Sequence, residues 1–88
     1  MFMNINKLIS IVEKKLLENI LIEKISIEDK TFLHKKHASN QEGKYHLKLN
    51  IISSELKNIN KIESTRKIYS ILDQELKKYI HSIQILIS

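Results

Sequence analysis

The side chains best suited to chemistry in this 88-residue chain are its four histidines. Three of them, His34, His37 and His46, crowd into the stretch from Asp29 to His46, which also holds the only glycine, Gly43. The fourth, His81, stands alone just before a final apolar run. Imidazole suits iron and zinc, and histidine can replace cysteine on one iron of a two-iron cluster. No cysteine is present, so disulfides, thiolate metal sites and a thiol nucleophile are all excluded. Any iron ligand that this chain offers must be histidine or carboxylate. His34, His37 and His81 with Asp29 could approach a tetrahedral zinc set, although nothing fixes the loop before a metal arrives. The plain alternatives are solvated loop histidines and a half-buried His81 that donates to a backbone carbonyl. His46 points off the core face of its strand and reads as structural.

The elements that must position these residues follow from periodicity. Ile5, Leu8, Ile9, Val12, Leu16 and Ile20 recur at helical spacing, with Asn4 or Asn6 available as the cap. From Glu23 the period drops to two, and Ile25 and Ile27 mark a half-buried strand ending near Asp29. Tyr45, Leu47, Leu49 and Ile51 alternate with His46, Lys48 and Asn50 in a second strand, expected to be the longest. The two strands form an antiparallel hairpin, with Gly43 easing the turn. Ser53 or Ser54 then caps a short helical turn, and Asn60-Lys-Ile-Glu63 opens a longer helix. The apolar face of that helix reads as Ile62, Tyr69, Leu72, Leu76 and Tyr79 or Ile80, with Ile68 beside it. Ile83, Ile85 and Ile87 alternate in a third strand, and His81 shares their parity at its mouth. The order is α-β-β-α-α-β, an α+β domain with helices on one face of a three-stranded sheet.

Composition bounds the rest. The length suits one domain over residues 1–88, with a histidine-bearing, disorder-prone loop over 31–44. A hydrophobic share of 42% with 28% charged residues is that of a globular chain. The apolar runs are too short to span a bilayer, and the N-terminus lacks the pattern of a secretory signal, so a cytoplasmic protein without a membrane partner is expected. The net charge of +5 is compatible with phosphate backbones or an acidic partner, and equally with a lysine-rich solvated surface. There is no glycine-rich phosphate loop and no Ser–His–Asp spacing on a recognisable scaffold, so an enzyme is not expected.

Several pieces, in order and spacing, resemble the BolA family from about Ile25 to the C-terminus. They are Asp29-Lys-Thr31-Phe-Leu-His34-Lys-Lys-His37, Gly43-Lys-Tyr45-His46-Leu and Leu49-Asn-Ile-Ile-Ser53. They continue with Arg66-Lys-Ile-Tyr69, Leu72-Asp-Gln-Glu75-Leu76 and Ile80-His81-Ser-Ile83. The resemblance implies a class II KH-like fold with a three-stranded mixed sheet. It also implies an adaptor that partners a monothiol glutaredoxin with glutathione and shares a [2Fe–2S] cluster in iron–sulfur trafficking or iron sensing. In that arrangement the ligands from this chain would be His81 and one of His34 or His37, with His37 slightly favoured. No cluster would stay on the isolated chain.

The same resemblance implies a second role, since some members are described as DNA-binding transcriptional regulators tied to stress and cell shape. Lys57, Lys61, Arg66 and Lys67, around two helices that superficially resemble a helix-turn-helix, are the candidate contacts. Departures bear on both roles. Lys30-Thr31 stands where the family has Glu-Ser, and Leu56-Lys-Asn58 where it has Phe-x-Gly. Ser64-Thr65 replaces an Arg-His pair, which removes two potential nucleic-acid contacts. With one glycine, the Gly-x-x-Gly loop of classical KH domains cannot exist. Lysines neutralise phosphates without reading bases, so any DNA binding should be weak, salt-sensitive and poorly selective.

Overall fold

The computed structural model describes residues 3–31 and 44–88. The elements run α1 (Ile5–Asn19), β1 (Lys24–Asp29), β2 (Tyr45–Ile52), α2 (Ser54–Lys57), α3 (Lys61–Ile71), α4 (Asp73–Lys78) and β3 (Ile80–Ile87). This is the α+β order expected, with the long helix divided at Leu72. Strand order in the sheet is β1-β2-β3, with β1 antiparallel and β3 parallel to β2. The sheet is therefore mixed, and β2 is its centre. At eight residues β2 is matched in length by β3, so it is not the longest strand by itself. Among the described residues no helix is long and apolar enough to cross a membrane.

Local chemistry sets the helix starts. The side-chain oxygens of Asn4, Ser53 and Asn60 accept from the backbone N–H groups of Lys7, Leu56 and Glu63, each three residues on. Each bond satisfies a donor that the first helical turn leaves orphaned. Helix α1 then buries Leu8, Val12 and Leu16 as one stripe, and Ile20 follows in extended backbone. Leu47, Leu49 and Ile51 of β2 meet that stripe from the sheet, and Ile68 and Leu72 close the core beside it. Ile27, Leu49 and Ile85 stand in one row across the three strands.

The face of α3 differs from the one expected. Ile62 is 70% exposed and Tyr69 43%, whereas Ser64, Ile68 and Leu72 are buried, followed by Glu75 in α4. Two polar residues thus occupy core-facing positions and disguise the stripe. Both are satisfied: the Ser64 hydroxyl donates to the Lys61 carbonyl at 3.0 Å, and the Glu75 carboxylate accepts from Lys15 Nζ of α1 at 2.8 and 3.0 Å. A buried carboxylate left without a cation would be costly, so the Lys15 partner is what allows Glu75 to sit there.

A candidate histidine site at the mouth of the third strand

The pairing of β2 with β3 contains an irregularity between Tyr45 and His46. Tyr45 stands opposite Ile80, but His46 stands opposite Ser82, so His81 is the extra residue of a β-bulge. The bulge overturns the expected parity. Ile80 takes the core position and is buried, while His81 is exposed instead of lining up with Ile83, Ile85 and Ile87. Its ring lies 5.0 Å, centroid to centroid, from the ring of His46, the two planes tilted by 60°.

His46 is the residue that sequence reasoning set aside. It does point off the helix-covered face, yet it is only 4% exposed. Its Nδ1 lies 2.6 Å from the Ser82 hydroxyl, its N–H donates to Thr31 Oγ1 at 3.1 Å, and its carbonyl accepts from the Lys30 N–H at 2.7 Å. Thr31 in turn donates its hydroxyl and its N–H to the Asp29 carboxylate. Both bonds end on Asp29 Oδ1 and close the end of β1. The signal that could have found His46 is its place at the same strand end as His81, which is visible only once β2 and β3 are neighbours.

An open depression of about 390 Å³ lies beside His46 on the sheet face away from the helices, between Lys30, Lys48, Ser82 and Gln84, and His81 is not part of its lining. Beside it the Glu28 carboxyl is held below its ordinary value, chiefly by the hydrogen bond from Lys30 and then by that from Asn50. His34 and His37, the expected loop ligands, lie outside the described residues. Among the described residues no three His, Cys, Asp or Glu side chains converge on a metal position. His81 is the one expected histidine ligand that lies within the described residues, and it is exposed on its strand.

The expected nucleic-acid residues divide. Lys57, Lys61 and Arg66 are exposed on α2 and α3. Lys67 is instead paired with Glu55 at 2.6 Å, so its charge is already partnered within the chain. That lysine, followed by the Leu21 N–H, holds the Glu55 carboxyl below the usual carboxylate range.

Comparison with known proteins agrees with this architecture. The BolA-like protein family matches residues 16–88. A Haemophilus influenzae protein named DNA-binding transcriptional regulator BolA is 33% identical over 73 residues, which are 83% of this chain and 68% of that protein. The solved structure of BolA1 from Arabidopsis thaliana superposes with a TM-score of 0.74 at 24% identity, over 90% of this chain and 87% of that one. The BolA domain of SufE1 from the same plant gives 0.76 at 24% identity, with the same two coverages. These two structural likenesses speak for the fold alone. From the family match and the Haemophilus relative together, this chain belongs to the BolA-like protein family.

Proposed function

We propose that the chain is an adaptor that partners a monothiol glutaredoxin and shares a histidine-ligated [2Fe–2S] cluster with it, in iron–sulfur trafficking or iron sensing. The observation that carries this reading is His81, turned out of the core by the bulge and exposed on a strand. A ligand must be held by a rigid element and still reach its metal, and a bulged strand residue meets both demands. In this reading the partner's cysteine and glutathione supply the thiolates, and this chain adds His81 with His34 or His37. The cluster supplies one-electron chemistry at a potential that histidine ligation raises. His46 holds its neighbour's surroundings through Ser82 and its ring.

The test is co-expression with a monothiol glutaredoxin in the presence of glutathione, followed by visible absorption and circular dichroism of the purified complex. The parent should give a coloured heterocomplex, and His81→Ala should lose the signature of mixed cysteine–histidine ligation. His34→Ala and His37→Ala should separate, one behaving as His81→Ala and the other nearly silent. If all three variants give the parent's spectrum, these histidines are not ligands.

A second reading, a DNA-binding regulator, draws on the exposed Lys57, Lys61 and Arg66 and on the name of the Haemophilus relative. Two or three phosphate contacts would give a slope of log affinity against log salt of about −2 to −3. Lys61→Glu combined with Arg66→Glu should abolish such binding without unfolding the domain. Binding that survives the pair removes this surface from the reading.

A further inference from the structure

The sheet has a second feature, at the opposite end of β3 from His81. Among the described residues β3 pairs with β2 alone, so its outer edge carries no strand. The direction of its backbone groups can be read from its end. The Ser88 N–H donates to the Ile51 carbonyl at 2.8 Å, and the Ser88 carbonyl accepts from the Ser53 N–H at 3.1 Å. Both polar groups of Ser88 therefore face β2. These groups alternate along a strand, so Ile83, Ile85 and Ile87 turn their N–H and C=O outward. From Ile80 to Ser88 there is no charge and no proline. Exposed edges are ordinarily blunted by such residues to prevent strand addition, and this one is not.

A groove runs beside that edge. Ile85 and Ile87, half-buried, form one wall, and Leu56, Ile59 and Thr65 form the other, around about 280 Å³. Lys57 and Lys61, both exposed, complete its lining. We propose that this edge and groove take up an extended acidic peptide segment of a partner protein, added to the sheet as a fourth strand against β3. The outward groups of the three isoleucines would supply the ladder. Apolar side chains on the helix-side face of the segment would enter the groove, and carboxylates at further positions of that same face would meet Lys57 and Lys61. A second copy of this chain is a poorer occupant, because each copy carries a net charge of +5. Single-stranded nucleic acid is also poorer, because among the described residues none lining the groove is aromatic and bases would find no ring there to stack on. The groove begins at Ile85, four residues and about 13 Å along the strand from His81, and Ile83 is the ladder residue nearest the histidine pair.

The probe is a fluorescein-labelled eight-residue peptide with valine and glutamate taking turns at every second position and threonine between them, titrated into the full chain. Anisotropy reports binding, and amide hydrogen exchange by NMR reports where it occurs. In the free chain the amides of Ile83, Ile85 and Ile87 should exchange freely. The peptide should slow them at least tenfold while leaving Gln84 and Leu86 unchanged. The same peptide N-methylated at every amide, which leaves neither edge able to donate to a ladder, should bind at least tenfold more weakly. Lys57→Glu with Lys61→Glu should weaken binding to the same extent with unchanged helix content. The proposal is overturned if the three isoleucines show no added protection or the N-methylated peptide binds equally well. It is also overturned if the charge reversals have no effect. Protection by oligothymidylate in place of the peptide would assign the groove to nucleic acid, and protection that grows with protein concentration alone would assign the edge to a second copy. Either result replaces the proposal.

Discussion

Two histidine rings 5.0 Å apart should respond in opposite ways to the same substitution. His46 is 4% exposed and bonded through Nδ1 to Ser82, whereas His81 is exposed. His46→Ala and His81→Ala both abolish the ring contact, so that contribution cancels when the two are compared. What remains for His46 is the hydrogen bond, about 0.5–1.5 kcal/mol, together with the apolar burial of the ring. The sum is about 1–3 kcal/mol. For a domain of this size each kcal/mol moves Tm by about 4–8 °C, so His46→Ala should lower it by about 5–20 °C. His81→Ala, a surface change, should stay within about 0.5 kcal/mol, or under about 4 °C. Ser82→Ala isolates the hydrogen bond and should lie between the two, because the His46 ring stays in place. Thermal melts followed by far-ultraviolet circular dichroism, on the isolated chain, decide the order. If His81→Ala proves as destabilising as His46→Ala, His81 is a structural residue and its availability as a ligand is refuted.

Two further outcomes follow from the core and the carboxylates. Leu49 is fully buried between Ile27 and Ile85, and Leu49→Ala should cost about 2–5 kcal/mol in denaturant melts; a loss below about 0.5 kcal/mol would mean the register is wrong. The Glu23 carboxyl, lowered chiefly by the Ser54 hydroxyl and then by its N–H, joins Glu28 and Glu55 in lying below the ordinary 4.5. Folded-state values below the unfolded ones contribute stability that is present above about pH 4.5 and lost as pH falls through the folded values. The contribution of these three carboxylates to Tm should therefore be complete above about pH 4.5 and fall progressively in more acid solution. Glu55→Gln should flatten part of that fall, and an unchanged acid limb would refute the assignment of Glu55.

What the chain alone determined is what depends on near neighbours. The stripe of Leu8, Val12 and Leu16, the alternation of Leu47, Leu49 and Ile51, and the caps, read as Asn4 or Asn6, Ser53 or Ser54, and Asn60, each involve residues a few positions apart. Helical and strand periods, and side chains that bond a backbone N–H three residues on, are properties of a short segment. The family resemblance lay in the same short pieces and their spacing.

Tertiary structure decided the rest. Glu75 can face the core because Lys15, 60 positions earlier in the chain, meets it there, and Ser64 can because it bonds back to Lys61. Those two polar residues, with Ile62 and Tyr69 turned outward, shifted the visible stripe of the second helix pair. The environment of His81 depended on an extra residue in β3 relative to β2, a mismatch between strands separated by three helices. A bulge of this kind has no local period, since it exists only as a difference in count between two paired strands. That difference brought His46 beside His81, and it could not be read until the parallel pairing of β2 and β3 set the register.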